Sequence, residues 1–271
     1  TQNKRRHMEK RLDDVTISRA ITESFFQQFL SCLKADVVIA GAGPSGLICA
    51  YYLARAGLKV NVLERQLRVG GGMPGGGMMF NRITVQEEAK PIFEELDISL
   101  AVYQEGLYVA DALETVSTLC SRTIRAGAMI FNLISVEDVM MQQERVCGVV
   151  INWSATVWSK LHVDPLSMAA KVVVDATGHD AEICRIVERK TGPRLRTPSG
   201  TVVGEKSMWA QVGEQSLVEN TREVFPGLLV CGMAANAVMG APRMGAIFGG
   251  MFLSGRKAAE LILSQLKPGE K

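Results

Sequence analysis

The segment Gly41-Ala42-Gly43-Pro44-Ser45-Gly46 spaces three glycines as G-x-G-x-x-G directly after the apolar run Asp36-Val37-Val38-Ile39-Ala40. A short apolar run of this kind reads as a buried parallel strand. Residues from Pro44 to about Ala56 read as a helix and Lys59–Leu63 as a second strand, so 36–64 forms a β-α-β unit. Gly41 allows the tight turn, Gly43 lets the backbone approach a pyrophosphate, and Gly46 permits close helix–strand packing. The helix N-terminus adds partial positive charge. Glu64 stands 18 residues after Gly46, where a carboxylate accepts hydrogen bonds from adenosine ribose hydroxyls. An acid there favours a free 2′-hydroxyl, hence an NAD- or FAD-like nucleotide. Arg65 beside it either stacks on adenine or is a solvated loop cation.

Of the 26 glycines, six more crowd the loop Arg65–Phe80, at Gly70–Gly72 and Gly75–Gly77; this is a candidate nucleotide-covering loop. Thr16–Leu33 carries Ile17, Ile21, Phe25 and Phe29 at every fourth position and predicts an amphipathic helix capped by Thr16. Helices are expected at Thr84–Leu96, despite Pro91, and at Asp111–Ala126. Met129–Leu133, Val136–Met141 and Val146–Ile151 predict an embedded antiparallel β meander. Lys171–Asp175 and Leu228–Val230 read as further buried strands, and Gly249–Leu266 as the closing helix, with Lys267–Lys271 frayed. The pattern is α/β: a flavoprotein-like (two-dinucleotide-binding) Rossmann-type parallel sheet, taken as a single nucleotide-binding domain over 1–271 with the meander lobe at about 129–151.

Composition narrows the function. Of 271 residues, 47% are hydrophobic, 21% are charged, and the net charge is +2. Near-neutral charge removes the electrostatic footprint of a nucleic-acid binder, and no apolar run of about 18 residues predicts a membrane span. The basic start, Lys4-Arg5-Arg6 with Lys10-Arg11, lacks the apolar stretch of a secretory signal. The six cysteines are scattered without a C-x-x-C pair, which suits free thiols in a reducing cytoplasm.

Three further sites draw the eye. Flavin enzymes of this architecture carry a late Gly-Asp whose Asp binds the ribityl and phosphate; in Gly227–Met233 that place is held by Met233. His162, Asp164 and His179 are imidazole and carboxylate groups compatible with iron(II) and open substrate positions, and His162-x-Asp164 on an extended segment puts both side chains on one face. Satisfied or surface histidines are the other reading. Arg243, in a Gly/Pro/Met-rich loop, is a candidate carboxylate clamp or a helix-capping or surface arginine.

From about Thr16 to Leu263 the chain resembles the Thi4 family of thiazole synthases. The resemblance is carried by Ser18-Arg19-Ala20-Ile21, Gly41–Gly46 with Glu64-Arg65, Gly70–Gly77, Val172–Asp180 and Val218–Val224. Its most distinctive carrier is Gly240-Ala241-Pro242-Arg243-Met244-Gly245-Ala246-Ile247-Phe248-Gly249. It implies an enzyme that builds an adenylated thiazole carboxylate for thiamine from NAD, glycine and a sulfur source, with iron(II) assisting. NAD is then a substrate, which accounts for Met233. The resemblance assigns Asp164 and His179 as iron ligands and Arg243 to the glycine carboxylate. Ser45, Gly72, Val136, His162 and Met233 would line the nucleotide. In the eukaryotic branch a cysteine two residues before the family Asp supplies sulfur; here Leu161-His162-Val163-Asp164-Pro165 puts His162 there, as in the archaeal branch that uses free sulfide. His162 is also the candidate acid–base, and a homo-octamer with sites shared between subunits is implied. Three competing readings are an FAD-dependent oxidoreductase of geranylgeranyl-reductase type, a ribose-1,5-bisphosphate isomerase, and a regulatory protein that binds NAD or ADP-ribose without turnover.

Overall fold

The computed structural model describes residues 13–266; the basic start, with His7, and the expected frayed end at Lys267–Lys271 lie outside them. The chain separates into two compact units, one ending at Lys34 and one beginning at Ala35. The first contains helix α1 (Asp14–Cys32), whose cap is Asp13 rather than Thr16: its carboxylate accepts from the Thr16 backbone N–H at 2.9 Å. A carboxylate at the N-cap satisfies an otherwise free helix donor, and the Thr16 hydroxyl adds a second bond to the same oxygen.

The second unit is built on an eight-stranded sheet. Its main path runs β10 (Arg222–Phe225), β11 (Leu228–Val230), β9 (Leu166–Asp175), β1 (Lys34–Ala40), β2 (Val60–Glu64) and β6 (Met129–Asn132). The β1–β2, β2–β6 and β11–β9 pairs are parallel. This is the Rossmann-type α/β sheet expected, and Val37, Val38, Ile39, Val60 and Val62 are buried because both faces of such a sheet are covered. One face takes helices α2 (Pro44–Arg55), α4 (Ala112–Arg125) and α9 (Gly249–Leu266), with Phe252 of α9 stacked on Phe93 at 4.3 Å.

The meander differs from expectation in its membership. Met129–Asn132 is β6 of the main sheet, pairing with β2. The antiparallel set is instead β7 (Ile134–Gln142), β8 (Arg145–Trp153) and the first half of β9. The second half of β9 then pairs with β11, Val173 opposite Leu228 and Asp175 opposite Val230. One long strand therefore welds the lobe to the main sheet.

Thr84–Leu96 is not one helix. Arg82–Gln86 is strand β3, with Ile83 and Val85 buried between exposed or half-buried neighbours, as period-2 burial requires. Helix α3 begins at Lys90, so Pro91 falls in its first turn, where a missing N–H costs nothing. Strand β3 completes a small antiparallel sheet with β5 (Leu107–Asp111) and β4 (Ala101–Gln104). The remaining helices are α5 (Ser154–Trp158), α6 (Glu182–Thr191), α7 (Ala210–Asn220) and α8 (Met233–Met239). Cys49, Cys120, Cys147, Cys184 and Cys231 are free thiols; burial pushes those of Cys49, Cys184 and Cys231 up. Among the described residues no helix is long and apolar enough to cross a membrane.

Two buried acids brace the unit. Asp175, at the end of β9, accepts from Thr177 N and Oγ1 (3.0 and 2.7 Å) and from Cys184 N (2.9 Å). Glu214 on α7 accepts from the Gly250 N–H that starts α9 (2.7 Å) and from Gln86 Nε2 (2.6 Å). Burial pushes the Glu214 carboxyl up to about 7, with Glu88 adding to the rise and the two hydrogen bonds opposing it.

Asp175→Ala strands two buried backbone donors and should lower the urea-unfolding free energy by about 2–5 kcal/mol, Asp175→Asn by less. The raised Glu214 pKa means the folded chain keeps a proton that the unfolded chain loses. The associated stabilisation is full below about pH 4.5 and is lost as pH rises through about 7. Unfolding free energies at pH 5 and pH 8 should show a fall of about 3 kcal/mol from this group, and Glu214→Gln should flatten it.

Candidate functional site

The ends of β1, β2, β9 and β11 come out on one sheet edge, the place where open α/β sheets bind ligands. Above it lies a cleft of about 1530 Å³, larger than the usual pocket for a single small ligand and roomy enough for a dinucleotide with a second reactant. Of the residues singled out from the sequence, Gly41, Gly43, Ser45, Glu64, Arg65, Gly72, Val136, His179, Met233 and Arg243 line it. Gly46, His162 and Asp164 do not.

The three motif glycines divide by geometry. Gly41 has φ +104°, and a Cβ there would sit 2.3 Å from the Ala176 carbonyl oxygen. A Cβ on Gly46 would sit 2.1 Å from the Gly41 oxygen and 3.2 Å from Ala176 Cβ. Those two serve chain reversal and packing, which is why Gly46 lies behind the cleft. Above Gly43 a Cβ would meet nothing within 4 Å, so this backbone is open to a ligand from the cleft side. Gly43 caps helix α2 without a side chain, leaving the helix N-terminus free for an anion. Ser45 Oγ is buried in the first turn of α2 with no hydrogen-bond partner, an orphaned donor that a phosphate oxygen would satisfy.

Glu64 is buried, and its carboxylate also organises the turn. Oε2 accepts from Ala42 N at 3.0 Å and Oε1 from Gln66 N at 2.8 Å. Each oxygen retains a further lone pair for a ribose hydroxyl. Arg65 pairs with Glu182, and with Asp180 at 3.7 Å. Burial raises the Glu182 carboxyl, and Arg65 pulls it back. The glycine loop does approach the phosphate turn, with Gly70 N donating to Ala42 O at 2.8 Å.

Arg243 contrasts with Arg65. Its backbone is pinned, N donating to Lys206 O at 3.2 Å and O accepting from Trp209 N at 3.0 Å, while Asn236 Nδ2 holds the preceding Pro242 oxygen at 3.3 Å. Its exposed guanidinium has no acidic partner among the described residues. A fixed stem with an unpaired fork suits a carboxylate that arrives from outside. Arg68, Lys160, Arg185 and Arg189, which the sequence did not single out, also line the cleft and add positive charge.

His179 stands in the single helical turn Gly178–Asp180 after β9, held by the Asp175 bonds and by Thr177 Oγ1, which accepts from Glu182 N at 2.8 Å. Its Nδ1 lies 2.6 Å from Glu205 Oε1. Glu205 is 26 positions away in an irregular stretch, and no local pattern marks it.

His162 and Asp164 sit on the exposed, irregular stretch 161–165 between α5 and β9. Their surroundings are apolar and exposed: Trp158, Leu161, Val163 and Leu166. Among the described residues no group of three or more His, Cys, Asp or Glu side chains is arranged to hold a metal ion. No cysteine lines the cleft.

The chain is similar to the thiamine thiazole synthase of Methanothermobacter thermautotrophicus strain Delta H, 58% identical over 257 residues that cover 95% of this chain and 100% of the relative. It is similar also to that of Pyrococcus furiosus, 55% identical over 255 residues covering 94% and 99%. The crystal structure of Thermovibrio ammonificans THI4 superposes with a TM-score of 0.93 at 49% identity, over 94% of this chain and 99% of that one. The Thi4 family model matches residues 18–248, and the chain belongs to the Thi4 family.

Proposed function

We propose that the chain makes the thiazole half of thiamine, as an adenylated thiazole carboxylate assembled from NAD, glycine and free sulfide with iron(II) assisting. The similar proteins named above are thiamine thiazole synthases matched over nearly their whole length. The observation that carries the reading is one cleft holding both an open nucleotide-binding edge at Gly43, Ser45 and Glu64 and a backbone-pinned Arg243 with no acidic partner among the described residues. The diphosphate takes Gly43, the α2 N-terminus and the Ser45 hydroxyl; the adenosine ribose takes Glu64. The carboxylate of glycine, and later of the product, takes Arg243 through two parallel hydrogen bonds. Met233, where a flavin enzyme has its acid, is consistent with a nucleotide consumed rather than retained.

An external sulfur source fits a cleft without cysteine, three core thiols pushed up by burial, and His162 in the donor position. Bound iron(II) would supply a Lewis acid and a template for sulfide. His179 fits as a ligand because its second ring nitrogen already has a carboxylate partner. Asp164 lies outside its own chain's cleft on an apolar stretch, so we assign it to a site completed by another copy in the expected octamer. His162 beside it is the candidate for proton transfers.

Anaerobic incubation with iron(II), NAD, glycine and sulfide should give an adenylated thiazole by mass spectrometry. No product from protein that binds NAD, with flavin or sugar-phosphate isomerase activity in its place, overturns the reading. Arg243→Ala should lower kcat/KM for glycine by about 100-fold, the loss of a bidentate charged contact, and leave NAD affinity within about twofold. Arg243→Lys should recover part of it. Asp164→Ala and His179→Ala should abolish product yet retain NAD binding by calorimetry.

A further inference from the structure

Glu205 has no part in the reaction described so far, yet its side chain is only 16% exposed and its Oε1 lies 2.6 Å from Nδ1 of a histidine in the cleft. It stands on the segment Val203–Lys206, which the backbone holds at both ends. Val203 N donates to Val238 O (3.2 Å), Gly204 N to Ala237 O (2.9 Å) and Lys206 N to Ala241 O (3.1 Å). Lys206 O in turn accepts from Arg243 N at 3.2 Å. The residue after Glu205 thus fixes the Arg243 loop, while Glu205 itself reaches His179.

An ionised carboxylate only accepts hydrogen bonds. A neutral imidazole with Nδ1 against it must therefore carry its proton on Nδ1, which leaves the lone pair on Nε2. We propose that Glu205 is a positioning residue: it holds His179 as the Nδ1–H tautomer and, through the Val203–Lys206 segment, keeps that ring in register with Arg243. Nε2 is then the nitrogen that acts in the cleft, whether toward a proton or as a ligand atom. This rests on the reading of the cleft as the thiazole-forming site only for its catalytic consequence; the tautomer is a property of the protein alone.

The chain has three histidines, so nitrogen-15 NMR of selectively labelled protein can assign each ring, with His179→Ala identifying its signals. At pH 8.5 the wild-type His179 ring should show protonated Nδ1 and unprotonated Nε2. Glu205→Gln, whose carbonyl oxygen still accepts, should keep that pattern, and Glu205→Ala should move the proton to Nε2. In turnover, Glu205→Ala should lower kcat by 10–100-fold, the usual reach of a carboxylate behind a working histidine, with KM for NAD within twofold. Glu205→Gln should lie between. A neutral wild-type ring with its proton on Nε2 overturns the proposal even if Glu205→Ala fails to fold. So does a tautomer, or a kcat, that Glu205→Ala leaves unchanged. Failure of the functional reading looks different: wild-type protein makes no thiazole while the tautomer still follows residue 205.

Discussion

Three backbone hydrogen bonds at one sheet edge support the cleft. Gly41 N donates to Leu63 O (2.8 Å), Ala176 N to Ala40 O (2.9 Å) and Cys231 N to Asp175 O (3.1 Å). They lock the ends of β1, β2, β9 and β11 side by side just where each chain turns away. Every turn that leaves this edge carries a residue into the cleft: Gly43 and Ser45 after β1, Glu64 ending β2, His179 after β9, Met233 after β11. The glycine at 41 is needed because the Ala176 carbonyl occupies the space a Cβ would take. Side-chain chemistry in the cleft is thus inherited from strand pairing, whose bonds are short-range and directional.

The polar core continues this logic from the edge toward Arg243. Ser254 Oγ accepts from Gly232 N at 2.8 Å and pairs with Thr221 Oγ1 at 2.6 Å, and Asn236 Nδ2 donates to Gly213 O at 3.0 Å. Each group is buried and satisfied, so the network orients α7, α8 and α9 as a unit. Gly249 and Gly250 open α9. A Cβ on Gly249 would lie 1.9 Å from Gln86 Oε1, and one on Gly250 2.5 Å from Glu214 Oε2. They admit the Gln86–Glu214 pair that anchors the start of α9.

How much could be read without coordinates follows from the range of the forces. The β-α-β unit, α4 and α9 are legible in the sequence because hydrophobic period is local. The boundary at Lys90 was missed because the apolar positions of 84–96 fit a helix, and only pairing with β5 makes Arg82–Gln86 a strand. The meander was misassigned for a similar reason: β6 and β7 look alike in sequence, and their partners, β2 and β8, are chosen by three-dimensional packing. The ion partners of Arg65, Glu182 and Asp180, stand more than a hundred positions away, beyond the reach of any local pattern.

The amino-acid sequence by itself determined the nucleotide turn, the acid at Glu64, the missing flavin acid at Met233 and the family, because these depend on residue identity at short spacing. Tertiary structure alone decided that Arg243 meets no acid among the described residues while Arg65 pairs with Glu182, that Glu205 stands behind His179, and that Asp164 lies outside its own chain's cleft. Those are outcomes of which charge meets which across long loops. Coulombic and hydrogen-bonding partners act over a few ångströms of space but any distance of chain, so no spacing rule encodes them.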